Sequence, residues 1–145
     1  DFGLVHAADP GPDSGPKLTT EGAIMGTPHY MSPEQAAGKP TDCRSDVYSL
    51  GATAYFLLCG KPPFHTGRVM EIVAAHLMQP PPPLTGLNPM VPSDLEQVVM
   101  RCLAKRPEER FAAVSELDAA LAACCCVAAW DHAQATEWWL ACGGG

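Results

Sequence analysis

Asp1, Phe2 and Gly3 open the chain with an acid in a setting that looks like a metal-binding turn. Taken alone it is an ordinary terminal acid. The other reactive side chains are the seven cysteines. Cys124, Cys125 and Cys126 are consecutive, Cys43, Cys59, Cys102 and Cys142 lie far apart, and no Cys-x-x-Cys pair occurs. A zinc site drawn from the run, His132 and Cys142 would need a geometry that this spacing does not suggest. The thiols read instead as small apolar side chains, kept reduced.

The elements that must position such residues are helical. Ala7 to Gly22 is rich in Gly, Pro, Asp, Ser and Thr without periodicity and reads as a loop. In "SPEQAAG", Ser32 can cap, Pro33 suits the first helical position, Gln35 can close a capping box and Gly38 can stop the turn. The stretch Asp42 to Cys59 is apolar on nearly all sides beyond its polar start, with Gly60 as a stop, so it belongs at the centre of a domain. Gly67 to Met78 is an amphipathic helix ended by Pro80 to Pro83, a run read as a stiff connector in preference to a ligand for proline-binding modules. A second capping box, Ser93 to Glu96, opens a helix with Leu95, Val98, Val99, Cys102 and Leu103 on one face. Helical pattern resumes after Phe111. In the tail, Trp130, Trp138 and Trp139 share one helical face, read as packing back on the domain before Gly143 to Gly145. Strand signal is nearly absent, and the fold class is mainly α.

At 145 residues, 47% hydrophobic and 17% charged, the chain fits one globular domain. A net charge of -7 with nine scattered Lys and Arg argues against a nucleic-acid surface. The apolar run from Ala119 to Trp130 is too short to span a bilayer.

Read in order, "DFG" (Asp1 to Gly3), "GTPHYMSPEQ" (Gly26 to Gln35), "SDVYSLG" (Ser45 to Gly51), "GKPPF" (Gly60 to Phe64) and "RCLAKRPEERF" (Arg101 to Phe111) resemble the second half of a protein kinase domain, of the bacterial eukaryotic-like (Hanks-type) Ser/Thr class. The resemblance covers Asp1 to about Ala123. It implies the helical C-lobe of the kinase α+β fold, with the N-lobe and catalytic loop absent from these residues. It also implies an activation segment over 1–34 and C-lobe helices over 35–123; the remaining 124–145 is read from its own pattern as a helical extension with the start of a Gly linker.

Residue roles follow from the same resemblance. Asp1 matches the metal-ligating Asp, Phe2 the side chain whose packing sets the active state, and Gly3 the turn beside them, so these three are the expected contacts to ATP and Mg2+. Thr27 matches the threonine that contacts the catalytic aspartate and lines the substrate site. Thr19 and Thr20 are candidates for activating phosphorylation. Glu34 matches a buried glutamate whose partner is Arg110, and Asp46 the acid that holds the catalytic loop. Two departures stand out: Ser32 replaces the usual Ala before Pro33-Glu34, and Arg106 stands where an Asp is usual.

The expected activity of the parent protein is transfer of the ATP γ-phosphate to Ser or Thr of protein substrates, with contact between kinase copies for autophosphorylation and a cytoplasmic location for this domain. In the family the Gly-rich loop, the strand lysine with its glutamate and the His-Arg-Asp loop precede Asp-Phe-Gly, and none is among these residues. The chain is therefore read as part of a longer kinase and is expected to be inactive by itself. The alternative is a non-catalytic docking module, a truncated kinase or a pseudokinase.

Overall fold

Ser32 starts the first helix as the capping box requires. Its hydroxyl accepts from the Gln35 amide at 3.4 Å while the Gln35 side chain accepts from the Ser32 amide at 2.9 Å. The structure, a computed structural model, describes residues 27–126 and residue 136. Helix α1 is Pro33–Ala36, and the chain leaves it through Gly38 at φ 63°. Helix α2, Cys43–Cys59, is capped by the Asp42 carboxylate on the Arg44 amide and stopped by Gly60 at φ 73°, a left-handed conformation that suits glycine.

Helix α3 is Val69–Met78. It begins two residues later than the sequence pattern predicts because Gly67 sits at φ 103°, outside any helix, and the Arg68 amide donates to the Glu71 carboxylate at 3.0 Å. Helices α4 (Ser93–Cys102) and α5 (Val114–Ala122) complete the fold, with single 3-10 turns at Pro28–Tyr30 and Pro107–Glu109. Among the described residues there is no strand.

The capping box predicted at Ser93 does not form. Pro92 takes the capping position and Ser93 is already helical, so its hydroxyl is not at the helix entrance. Glu96 instead accepts from the backbone N and the hydroxyl of Thr85 at 2.9 and 3.1 Å, pinning the connector between α3 and α4. That connector is packed as well as stiff. Leu84 is fully buried, Tyr55 Oη donates to the Pro82 carbonyl at 3.1 Å, and the Asn88 side-chain Nδ2 donates to the Leu58 carbonyl at 2.9 Å.

Helix α2 is central because it feeds two core clusters at once. Tyr48, Ala52 and Tyr55 pack with Leu84, Val91, Val99 and Leu103, while Val47 packs with Cys102, Phe111 and Leu117. Gly51 lets α2 and α4 approach closely, since a Cβ there would lie 2.5 Å from the Cys102 Cβ. The expectation of burial all round is nonetheless too broad: Leu50, Phe56 and Leu57 are exposed, Leu57 by 75%. The six described cysteines are free thiols, Cys102 and Cys124 buried. No helix among the described residues is long and apolar enough to cross a membrane.

Candidate functional site

Helix α1 is a single turn, and its capping box places Glu34 so that the carboxylate points inward, where only 7% of the residue stays exposed. Arg110 reaches it from 76 residues away, Nη1 donating to Oε1 at 2.7 Å and Nη2 to Oε2 at 2.8 Å. Ser45 Oγ adds a third donor at 2.5 Å. The remaining guanidinium protons go to the carbonyls of Ala104, Arg44 and Lys105. All five Arg110 donors are therefore used, which is what lets a charged group sit 3% exposed. Burial alone pushes the Glu34 carboxyl up, but the bonds from Arg110 and Ser45 outweigh it and hold the pKa down at about 2.

A second buried polar group lies beside this pair. Arg110 stands over the Tyr48 ring at 4.9 Å, and Tyr48 Oη is 2.8 Å from His76 Nδ1 on α3. Phe64 packs its edge on the fully buried His76, whose Nε2 has no hydrogen-bond partner among the described residues. Burial, reinforced by the nearby Lys105 charge, pulls His76 down to about 4 and keeps it neutral. Lys105 donates to the Ala75 and His76 carbonyls at 3.3 and 2.8 Å, a cation on the last turn of α3 where the helix dipole favours it. Its own pKa falls to about 8 through burial and then the Arg110 charge.

The surface side of the site is the half-buried 3-10 turn. Thr27 precedes it, is exposed, and takes the Tyr30 amide on its carbonyl at 3.3 Å. Ser49 on α2 donates its hydroxyl to the Tyr30 carbonyl at 2.9 Å. Asp46 projects from the first turn of α2 into solvent, and its carboxylate makes no hydrogen bond among the described residues.

The structure thus brings Glu34 and Arg110 together, places Thr27 on the adjoining surface and leaves Asp46 open. Asp1, Phe2, Gly3, Thr19 and Thr20 lie outside the described residues, as do Trp130, His132, Trp138, Trp139 and Cys142. No group of three or more His, Cys, Asp or Glu among the described residues could hold a metal ion. Sequence reasoning missed Ser45, Tyr48 and Ser49. A signal existed: hydroxyls at i, i+3 and i+4 put a polar stripe on a helix otherwise read as apolar. His76 and Lys105 carried no comparable pattern. Chemically, the buried groups are fully engaged or neutral, so they hold shape, and the solvent-facing groups are Thr27 and Asp46.

A family model described as the protein kinase domain matches residues 1–121. Over 121 residues the chain is 42% identical to the serine/threonine-protein kinase Pkn1 of Myxococcus xanthus, covering 83% of this chain and 17% of that protein. Similarity to PknB of Mycobacterium tuberculosis and of Mycolicibacterium smegmatis is 40% and 39% over 121 residues, in each case 83% of this chain and 19% of the relative. The chain spans less than a fifth of the length of these curated relatives.

Proposed function

The chain belongs to the protein kinase domain family, and from that premise we propose that it supplies the activation segment and the helical substrate-side lobe of a serine/threonine protein kinase. The observation that carries this reading is the buried Glu34–Arg110 pair with the exposed Thr27 just before the adjoining half-buried turn, because it fixes a rigid floor beneath a surface that a protein substrate can reach. Phosphoryl transfer asks a protein mainly for positioning and charge stabilisation, and a floor of this kind contributes positioning.

In this reading 1–34 is the activation segment, 35–123 the helical lobe and 124–145 an extension. ATP with Mg2+ supplies the γ-phosphoryl group and its charge neutralisation. Asp1 is assigned to the metal and Phe2 and Gly3 to its setting, by motif alone. Thr27 organises the hydroxyl-bearing substrate, Asp46 offers its open carboxylate to the catalytic loop, and Thr19 or Thr20 accepts the activating phosphate, from another copy of the kinase. The partners are Ser- and Thr-containing proteins, and the domain works in the cytoplasm.

The test is a phosphotransfer assay on the full-length protein that carries these residues, using γ-labelled ATP, Mg2+ and a basic protein substrate. Label on phosphoserine or phosphothreonine, lost in Asp1→Asn and in Thr27→Ala, is expected. Transfer that survives Asp1→Asn, or that appears on phosphotyrosine, sinks the reading.

A further inference from the structure

We propose that Ser49 is a positioning residue for the protein-substrate side of this site, holding Thr27 in place through the Tyr30 peptide; the proposal rests on the role given to Thr27 above. Tyr30 is the link. Its carbonyl takes the Ser49 hydroxyl at 2.9 Å, and its amide donates to the Thr27 carbonyl at 3.3 Å. Among the described residues Thr27 makes no side-chain cap on the turn it precedes, and its carbonyl is held by the Tyr30 amide. The two bonds within that turn are long, 3.3 Å from Tyr30 and 3.4 Å from Met31 to Pro28, so the turn closes weakly by itself. Among the described residues, the Ser49 bond is shorter than either bond within the turn.

This hydroxyl serves two acceptors, one inside its helix and one outside. A serine or threonine inside a helix commonly donates back to the carbonyl four residues earlier. Thr53, one turn along α2, does so, bonding the Ser49 carbonyl at 2.9 Å. Ser49 makes the same bond, to the Ser45 carbonyl at 3.2 Å, and shares its hydroxyl with a second, shorter contact outward to the Tyr30 carbonyl at 2.9 Å. Tyr30 is in turn held by its ring, which packs on the cluster of Tyr48, Tyr55 and Leu103. The ring fixes where the residue sits, and Ser49 fixes how its peptide is oriented. Since Ser49 is on the central helix, the substrate side inherits the rigidity of the core.

The test compares Ser49→Ala, Ser49→Thr and Thr53→Ala in the full-length protein, reading peptide phosphorylation and hydrogen exchange of the Tyr30 and Met31 amides. Removing one tethering hydrogen bond should lower kcat/KM for a Ser- or Thr-containing peptide about five-fold and speed the two amides by a similar factor. KM for ATP should not move, Ser49→Thr should recover the loss, and Thr53→Ala should match the wild type. Unchanged peptide kinetics in Ser49→Ala overturns the proposal, and so does an equal loss in Thr53→Ala, which would mark a general helix effect. If the wild type transfers no phosphate, the kinase reading falls instead, and the exchange rates still decide the tether: no acceleration in Ser49→Ala refutes it.

Discussion

Arg110 gives a separate nitrogen to each oxygen of the Glu34 carboxylate, at 2.7 and 2.8 Å, with both side chains inside the protein. This ties α1, after the half-buried 3-10 turn, to the loop between α4 and α5. Removing either partner strands a buried charge, so Glu34→Ala or Arg110→Leu should each cost about 3–5 kcal/mol of stability, read from urea unfolding. The double variant Glu34→Leu/Arg110→Leu should lose much less than the two singles added together. Additive losses would mean the two side chains act separately.

Acid should destabilise the fold in two steps with different owners. His76 titrates near 4 when folded against an ordinary 6.5, so between those values the unfolded chain binds more protons and stability falls as the pH is lowered. Glu34, held at about 2 against 4.5, keeps its contribution above 4.5 and loses it as the pH falls towards 2. Each step has a limiting slope of about 1.4 kcal/mol per pH unit. His76→Phe should erase the upper step and leave the lower one. Independently, the His76 ring signals in an NMR titration of the wild type should stay fixed from pH 7 down to about 5; a midpoint near 6.5 would contradict the buried, neutral ring.

Two serines that look alike in sequence should behave differently. Ser32 caps α1, and Ser32→Ala should cost about 1 kcal/mol. Ser93 caps nothing, so Ser93→Ala should stay within about 0.5 kcal/mol of the wild type. Glu96→Ala, in contrast, should free the Thr85 amide and raise its hydrogen exchange. A Ser93→Ala loss as large as that at Ser32 would restore the capping box.

Gly51 is where α2 and α4 come closest. Gly51→Ala should cost about 1–3 kcal/mol, seen as a lower urea midpoint, because the new methyl meets the Cys102 Cβ. Cys102→Ala keeps that Cβ and should give no rescue in the double variant; full rescue would place the clash at the sulfur.

Much of this was legible in the residues. Ser32, Pro33, Gln35 and Gly38 announce α1 through bonds made within a few residues, and Asp42 and Gly60 bracket α2 in the same way. The motifs around Glu34 and Arg110 were legible as a pair only through the resemblance. The failures have a common cause. Ser93 and Glu96 have a capping-box pattern, but Thr85, eleven residues earlier, offers Glu96 two donors and Pro92 takes the cap. Leu50, Phe56 and Leu57 read as core, but only the faces of α2 that meet α4, α5 and the 3-10 turn are covered.

The sequence by itself determined where α1 and α2 start and stop, that helices are the regular structure among the described residues, and which family motifs they carry. Caps, glycine stops and proline breaks act over three or four residues, so they are written in local order. Only the tertiary structure decided that Ser45 joins Glu34, that Tyr48 finds His76, and that Ser49 also reaches out of its own helix to hold Tyr30. Those partners lie 11, 28 and 19 residues apart, and a hydroxyl on a helix has a local acceptor available at every turn. Which acceptor it takes is settled by what the packed core brings within reach.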